Sequence, residues 1–258
     1  MTTKPKISII TSTRYRPDLL ARAIKSVQYS TLKDYEHIIV SDHCPKARYV
    51  YEIFKEDKRI KFFELESPHL TNRGSYGRNM AIEKSKSDFI TYLDDDNIVM
   101  ANHLEMMYKS LSTGKYDLVH TKTHEVGMGK GDNTIETILS RNLHEDLDPE
   151  IYVRHDLKYS DPLDTSNAGH TKYIIEQIGG WTPSPQCNKT NGSEDSDLFR
   201  RLHRATEGRR LDVPIYTSVY YARWGCIRPD TVYHNKVSSL DKKDVFAFPE
   251  LLKKTGVL

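Results

Sequence analysis

Three consecutive acids, Asp94-Asp95-Asp96, with Asn97 after them, are the residues of this chain best placed to do chemistry. They directly follow the apolar run Phe89-Ile90-Thr91-Tyr92-Leu93, whose length and β-branched and aromatic content read as a buried strand. Three acids cannot continue into a core without a strong compensating charge, so they mark that strand's C-terminal end. In an α/β protein, ligands bind beyond the C-terminal ends of the strands. Carboxylates gathered there suit a hard divalent cation, and with it a phosphate-bearing substrate.

A second acid stands about one hundred residues later. Residues 193–205 have helical spacing, with Ser193 as N-cap and Glu194 and Asp195 in the first turn, where acids suit the helix dipole. At ~100° per residue, Asp195 shares a face with Leu198, Phe199 and Leu202, while Asp197 and Arg201 fall on the opposite, solvated side. An inward carboxylate at a helix start is a candidate general base; the bland alternative is a helix cap. Asp42 closes another strand, in Val40-Ser41-Asp42-His43, and its spacing suits either a nucleobase N–H or a cap on the next helix. Arg14, Arg16, Arg73 and Arg78 lie near predicted strand ends, a basic lining that suits phosphate, although surface arginines are commonly just solvated.

The elements that would position these residues alternate. Strands are expected at residues 7–11, 36–41, 60–65 and 89–93. Helices are expected from Pro17 (with Leu20, Ala23, Ile24 and Val27 on one face), over 46–55 and 75–86, and around Leu104, Met107, Tyr108 and Leu111. A β-α-β-α order argues for a mainly parallel sheet with right-handed crossovers. The second half is less regular. Residues 116–121 are strand-like, 127–133 carry three glycines and read as a hairpin tip or loop, and 141–170 are polar and irregular, like a lid. A short helix at 172–178 stops at Gly179-Gly180, and a late strand covers 213–221.

Composition narrows the class. With 258 residues, 37% hydrophobic and 29% charged, the chain can build one substantial core. No run approaches the ~20 apolar residues of a membrane span. The N-terminus enters a strand at once, which leaves no room for a signal peptide. Three cysteines, an odd count without Cys-x-x-Cys spacing, point to free thiols and a cytoplasmic location. A net charge of +2 gives no reason to expect nucleic acid as a partner.

In this order and spacing the motifs resemble family 2 glycosyltransferases of the GT-A fold. The opening Ile7-Ser8-Ile9-Ile10-Thr11-Ser12-Thr13-Arg14-Tyr15-Arg16-Pro17 resembles the family's first strand and loop. Asp42, Gly77-Arg78-Asn79-Met80-Ala81-Ile82, Tyr92-Leu93-Asp94-Asp95-Asp96-Asn97, Ile178-Gly179-Gly180-Trp181 and Glu194-Asp195 follow. The resemblance covers roughly residues 5–225. It implies an α/β GT-A domain over residues 1–225: a Rossmann-like nucleotide-sugar half (1–100) joined to an acceptor-binding half (101–225), with 226–258 as a C-terminal tail.

The resemblance also implies roles. Ser12, Thr13 and Asp42 would hold the nucleobase, with Arg14 standing where the family often has an aromatic residue. Arg73 and Arg78 would lie near the base or diphosphate. Asp94 and Asp95 would bind ribose and support the metal site, and Asp96 would ligate Mn²⁺ or Mg²⁺, with His234 as a further candidate ligand. Asp195 would deprotonate an acceptor hydroxyl, an inverting displacement that needs one base. Glu194, His170 and Trp181 would meet the acceptor, although a tryptophan at such a turn is as often buried in a core. The expected partners are a nucleotide-diphosphate sugar, commonly a UDP-sugar, and a saccharide or lipid-linked acceptor. The lysine-rich, part-apolar tail at 242–254 could touch an anionic inner-membrane surface, or pack on its own domain or a second subunit. Two other classes compete. A nucleotidyltransferase would favour a glycine-rich phosphate loop after the first strand, and residues 11–16 contain no glycine. A non-catalytic sugar-binding module would have no use for both Asp96 and an inward Asp195.

Overall fold

The structure is a computed structural model that describes residues 4–68, 74–127, 165–183 and 194–222. The expected parallel half is present. Strand β1 (Ile7–Thr13) leads to helix α1 (Pro17–Gln28), β2 (Tyr35–Ser41), α2 (Pro45–Phe54), β3 (Ile60–Glu64), α3 (Ser75–Lys84) and β4 (Phe89–Tyr92). Then come β5 (Ile98–Val99), α4 (His103–Leu111), β6 (Leu118–Gly127), a 3₁₀ turn (Thr165–Asn167) and β7 (Ala168–Thr171). Helix α5 (Lys172–Gln177), helix α6 (Glu194–Ala205) and β8 (Arg210–Ala222) complete the described elements.

One sheet runs through both halves in the order β3-β2-β1-β4-β7-β6-β8-β5. The first four strands are mutually parallel, β7 is antiparallel to both β4 and β6, and β8 runs parallel to β6. Helices cover both faces, so the central strands read as apolar runs rather than alternating ones. In β1, Ile7 and Ile9 face a cluster with Val27, Leu104 and Met107, whereas Ile10 faces Ala81, Tyr92 and Leu198. In β2, Ile38 and Val40 join the second of these clusters, and Ile39 points to Leu20, Ile24 and Val50 under α1 and α2. Helices α3, α5 and α6 thus share one face of the sheet, and α1, α2 and α4 the other.

Two strands come from sequence that read as irregular or unassigned. Strand β7 falls within the expected lid and consists of Ala168-Gly169-His170-Thr171. Its small residues follow from crowding: a Cβ on Gly169 would lie 2.9 Å from Met107 Sδ and 3.4 Å from the Ile90 carbonyl. The two-residue β5 is held by its antiparallel pairing to β8. β1 runs two residues past its expected end because Thr13 pairs with Ser41 of β2. Among the described residues no helix is long and apolar enough to cross a membrane. Arg73, Ser193, His234, the tail at 226–258 and residues 128–164 of the expected hairpin and lid lie outside the described residues.

Candidate active site

The site begins where β1, β2 and β4 end side by side. Thr13 O accepts from the Asp42 N–H at 2.9 Å, and Ile10 O accepts from the Leu93 N–H at 2.9 Å. These two backbone links bring Asp42 and the acidic triplet to the same edge as the loop after β1. In that loop Tyr15 has φ 55°, a left-handed conformation that a bulky residue adopts only when its surroundings hold it there. Its N–H reaches Cys44 Sγ at 3.3 Å, and the Arg14 guanidinium lies 5.1 Å from its ring. Arg14 Nη1 also reaches Asp42 Oδ2 at 3.3 Å. Arg14 and Tyr15 therefore form a cation–aromatic platform beside Asp42.

The three acids of the triplet have distinct surroundings. Asp95 is 0% exposed: Thr13 Oγ1 donates to its Oδ2 at 2.7 Å, and Arg16 Nη2 lies 2.6 Å from its Oδ1. Burial raises its carboxyl pKa, Arg16 opposes that, and Asp96 and Asp94 add to it. Asp96 keeps 21% of its side chain exposed and is paired with Arg16 Nη1; its backbone carbonyl accepts from Arg22 Nη2. Asp94 keeps 25% exposed and accepts from Arg78 Nη2 at 2.7 Å. Its carboxyl is also raised, by burial first, with Arg78 opposing and Asp96 adding. The Asp94 N–H and the Asn97 amide converge on Ser166 Oγ at 3.2 and 3.0 Å, which fixes the turn.

This arrangement departs from one expectation: Asp95 is 0% exposed and lies behind Thr13 and Arg16, so it does not face the open mouth where a ribose would sit. It also tests the expected metal. Among the described residues no group of three or more His, Cys, Asp or Glu could hold an ion. Asp96 and Asp94 nevertheless present two partly exposed carboxylates whose charged forms are crowded. Mg²⁺ and similar hard ions are commonly held by one or two carboxylates plus substrate phosphates, and the residues present fit that mode.

Arg78 joins this edge to the other half. It is 8% exposed, on the first turns of α3, and its guanidinium stacks 4.4 Å from the Trp181 ring. Burial opposes its charge, but Asp94 first and then Glu194 and Asp195 overrule that, so its pKa is raised. The field of Asp195 therefore reaches the guanidinium that binds Asp94. Helix α3 sits close because Gly74 (φ 93°) opens it and Gly77 has no side chain; a Cβ on Gly77 would collide with Ser12 Oγ. Asp195 is half-buried at the start of α6, and its Oδ1 accepts from the Ser196 N–H at 2.8 Å. Glu194 beside it is buried, and Leu198, Phe199 and Leu202 enter the core as their spacing requires.

Two acceptor-side assignments are corrected. His170 and Trp181 are 0% and 1% exposed and form a directed internal chain. Trp181 Nε1–H donates to Tyr92 Oη at 3.1 Å, and the Tyr92 hydroxyl donates to His170 Nε2 at 2.7 Å. His170 Nδ1–H in turn donates to the Thr171 carbonyl at 2.9 Å. Neither ring has a face left for a saccharide; they form the floor beneath Arg78. Arg201 is corrected as well. Instead of being solvated, it reaches the carbonyls of Ile178 and Gly180 and the hydroxyl of Thr182. The sequence gives Arg16 no more than a lining role and offers no signal for Arg22. The local signal for Arg16 was its place directly before Pro17, on the loop that faces the triplet.

The model of "Glycosyl transferase family 2" matches residues 8–166, which span the strand-end site just described. The chain is 31% identical over 112 residues to the GalNAc(5)-diNAcBac-PP-undecaprenol beta-1,3-glucosyltransferase of Campylobacter jejuni, covering 43% of this chain and 36% of that one. It is 30% identical over 127 residues to the poly(ribitol-phosphate) beta-N-acetylglucosaminyltransferase TarP of Staphylococcus aureus, covering 48% and 38%. Among solved structures, S. aureus TarS 1-349 in complex with UDP-GlcNAc superposes with a TM-score of 0.65 at 13% identity, over 89% of this chain and 62% of that one. The mannosyltransferase PcManGT of Pyrobaculum calidifontis, in complex with GDP-Man and Mn2+, gives a TM-score of 0.56 at 13% identity, over 96% and 65%. The matched region is less than two thirds of each of these proteins' own length.

Proposed function

The chain belongs to glycosyl transferase family 2, and from that premise we propose that it moves a sugar from a nucleotide-diphosphate sugar to a hydroxyl of a saccharide or lipid-linked saccharide, with inversion. The observation that carries this reading is the position of Arg78. It binds Asp94 at the strand-end edge at 2.7 Å and stacks 4.4 Å from Trp181, in the turn whose Gly180 carbonyl is held by Arg201 of α6, which supports donor-side and acceptor-side acids sharing one mouth.

The parts divide accordingly. Asp42 accepts a base N–H, with the Arg14–Tyr15 platform beside it; a UDP-sugar is the donor we favour, as UDP-GlcNAc is what the solved TarS complex holds. Ser12 and Thr13 form the wall against which the base lies. Asp96 and Asp94 would hold Mn²⁺ or Mg²⁺ together with the diphosphate; the metal, when bound, supplies positive charge to the oxygens that become negative as the glycosidic bond breaks. Arg16 and Arg78 lie on the same edge and would add positive charge beside the diphosphate. Asp195 accepts the proton of the attacking hydroxyl on the face opposite the leaving group, so the anomeric centre inverts. Glu194 shapes the acceptor lip beside it.

The test is a thermal-shift screen of nucleotide sugars with Mn²⁺, followed by product NMR with the donor that binds. Binding of one sugar nucleotide with configuration inverted at the transferred centre is expected. Retained configuration would refute the single-displacement mechanism, and no response to any nucleotide sugar would refute the donor class.

A further inference from the structure

We infer that Arg201 is a positioning residue that fixes the helix bearing Asp195 to the turn beneath Arg78. This rests on the reading of Asp195 as the base. All five of its N–H donors are directed to an acceptor. Nη1 donates to the carbonyls of Ile178 and Gly180, each at 2.8 Å. Nη2 donates to Thr182 Oγ1 at 3.0 Å and lies 2.8 Å from Asp197 Oδ2, which also accepts from Nε at 2.9 Å. The planar fork thus closes on one helical turn of α6 and on three alternate residues, Ile178, Gly180 and Thr182, of the 178–182 segment. A lysine has neither the fork nor enough directed donors to do this.

The same segment is held from the other side by α3. Asn79 Oδ1 accepts from the Trp181 N–H at 2.8 Å, and its Nδ2 donates to the Trp181 carbonyl at 2.9 Å. Gly180, at φ 74°, has no room for a side chain, since a Cβ would lie 2.7 Å from Asn79 Oδ1. Arg78, on the residue before Asn79, stacks on the Trp181 ring. The turn is therefore a shared wedge, gripped by α3 through Asn79 and by α6 through Arg201. Arg201 lies six residues after Asp195, ~9 Å along the helix at 1.5 Å per residue. A small tilt of α6 about its packed Leu198 and Leu202 would swing Asp195 across the mouth. The clamp sets that angle relative to the arginine that binds Asp94.

The test uses the full chain with Arg201→Gln, Arg201→Lys and Asp195→Asn. Hydrogen–deuterium exchange reads the wedge and the first turns of α6, and calorimetry with UDP and Mn²⁺ reads the donor side. UDP release from UDP-N-acetylglucosamine reads turnover. Both Arg201 variants are expected to speed exchange in 178–182 and 194–198 by roughly tenfold and to keep UDP affinity within about twofold of wild type. Turnover should fall roughly 100-fold, the scale of an ångström-sized misplacement. Unchanged exchange in 194–198, a loss of UDP affinity in parallel with turnover, or full rescue by lysine would each overturn the inference. Asp195→Asn separates the two readings. Lost turnover with wild-type exchange supports the base assignment; normal turnover refutes that assignment, while the exchange measurement still decides whether Arg201 is the brace.

Discussion

The proposed donor edge and the proposed base-bearing edge of this molecule are held by different kinds of bond. Around the strand ends nearly every grip is an ion pair: Arg14 with Asp42, Arg16 with Asp95 and Asp96, Arg78 with Asp94. Around the turn before α6 the grips are mostly to neutral groups, with carbonyls, amides and a hydroxyl answering Asn79 and Arg201, and Tyr92, His170 and Trp181 linked below. Ion pairs can exchange partners when a diphosphate and a cation arrive, because the incoming charges replace the ones displaced. Bonds to backbone carbonyls have no such competitor. On the proposed reading, one edge would change partners on binding and the other would stay where it is.

The sharpest way to test that division is Asp195→Asn, which alters the fixed edge while leaving the ion pairs of Arg14, Arg16 and Arg78 with Asp42, Asp95, Asp96 and Asp94 in place. Turnover is expected to fall by about 10²–10⁴-fold, the usual share of a general base, with UDP affinity by calorimetry unchanged. A parallel loss of UDP binding would mean that the two edges are not separable. Next is Arg16→Gln, on the exchangeable edge. It leaves Asp95 buried beside two other acids without its guanidinium, and removing one partner of a buried pair costs about 3–5 kcal/mol. Urea unfolding should show that loss, and UDP with Mn²⁺ should recover part of it. If the ligands recover none, Arg16 is a structural ion pair rather than an exchangeable one.

The exchangeable edge was largely legible in the sequence, and the fixed one was not. Strands covered on both faces appear as apolar runs, so β1, β2 and β4 and the acids that end them, Asp42 and Asp94 to Asp96, stand out locally. The face of α6 was equally legible from Leu198, Phe199 and Leu202. The fixed edge depends on pairings across long sequence distances. Nothing beside Arg201 in the sequence shows that carbonyls some twenty residues earlier will surround it, so a residue opposite the apolar stripe reads as solvated. β7 lacks the β-branched signal of a strand because Met107 and Ile90 leave no room for it at Gly169. His170 and Trp181 looked like acceptor contacts because polarity next to a turn usually means exposure; here each polar atom is satisfied internally.

Protons should weaken the fold through its buried neutral histidines. Burial lowers the pKa of His103 to about 3 and that of His170 to about 4. Both rings bridge β4 to the second half: His103 sits between Thr91 and Thr217, and His170 contacts Tyr92. A lowered folded-state value means that the unfolded chain takes up the proton first. Stability is therefore intact above pH 6.5 and falls as pH drops, through about 4 for His170 and about 3 for His103. At pH 5.5 each would cost about 1.4 kcal/mol. Urea midpoints measured between pH 7.5 and 5.5 check this. His37 and His120 are buried and lowered in the same sense, so His103→Gln should flatten the slope by about a quarter, and an unchanged slope would mean that the ring is not the buried neutral group described.

Gly180→Ala is the mildest perturbation and the most specific to the wedge. The residue sits at φ 74°, and its missing Cβ is what lets Asn79 reach both polar groups of the Trp181 backbone. Alanine at positive φ, against a hydrogen-bonded amide, is expected to cost about 1–2 kcal/mol. The adjacent Gly179, also at positive φ (80°), has nothing within 4 Å of its Cβ position, so Gly179→Ala carries the backbone cost without displacing Asn79. If the fixed edge controls the base and not the donor, Gly180→Ala should slow turnover more than Gly179→Ala while both bind UDP alike. Equal turnover in the two variants would reduce the wedge to an ordinary helix stop, and the contrast between the two edges would then rest on Arg201 alone.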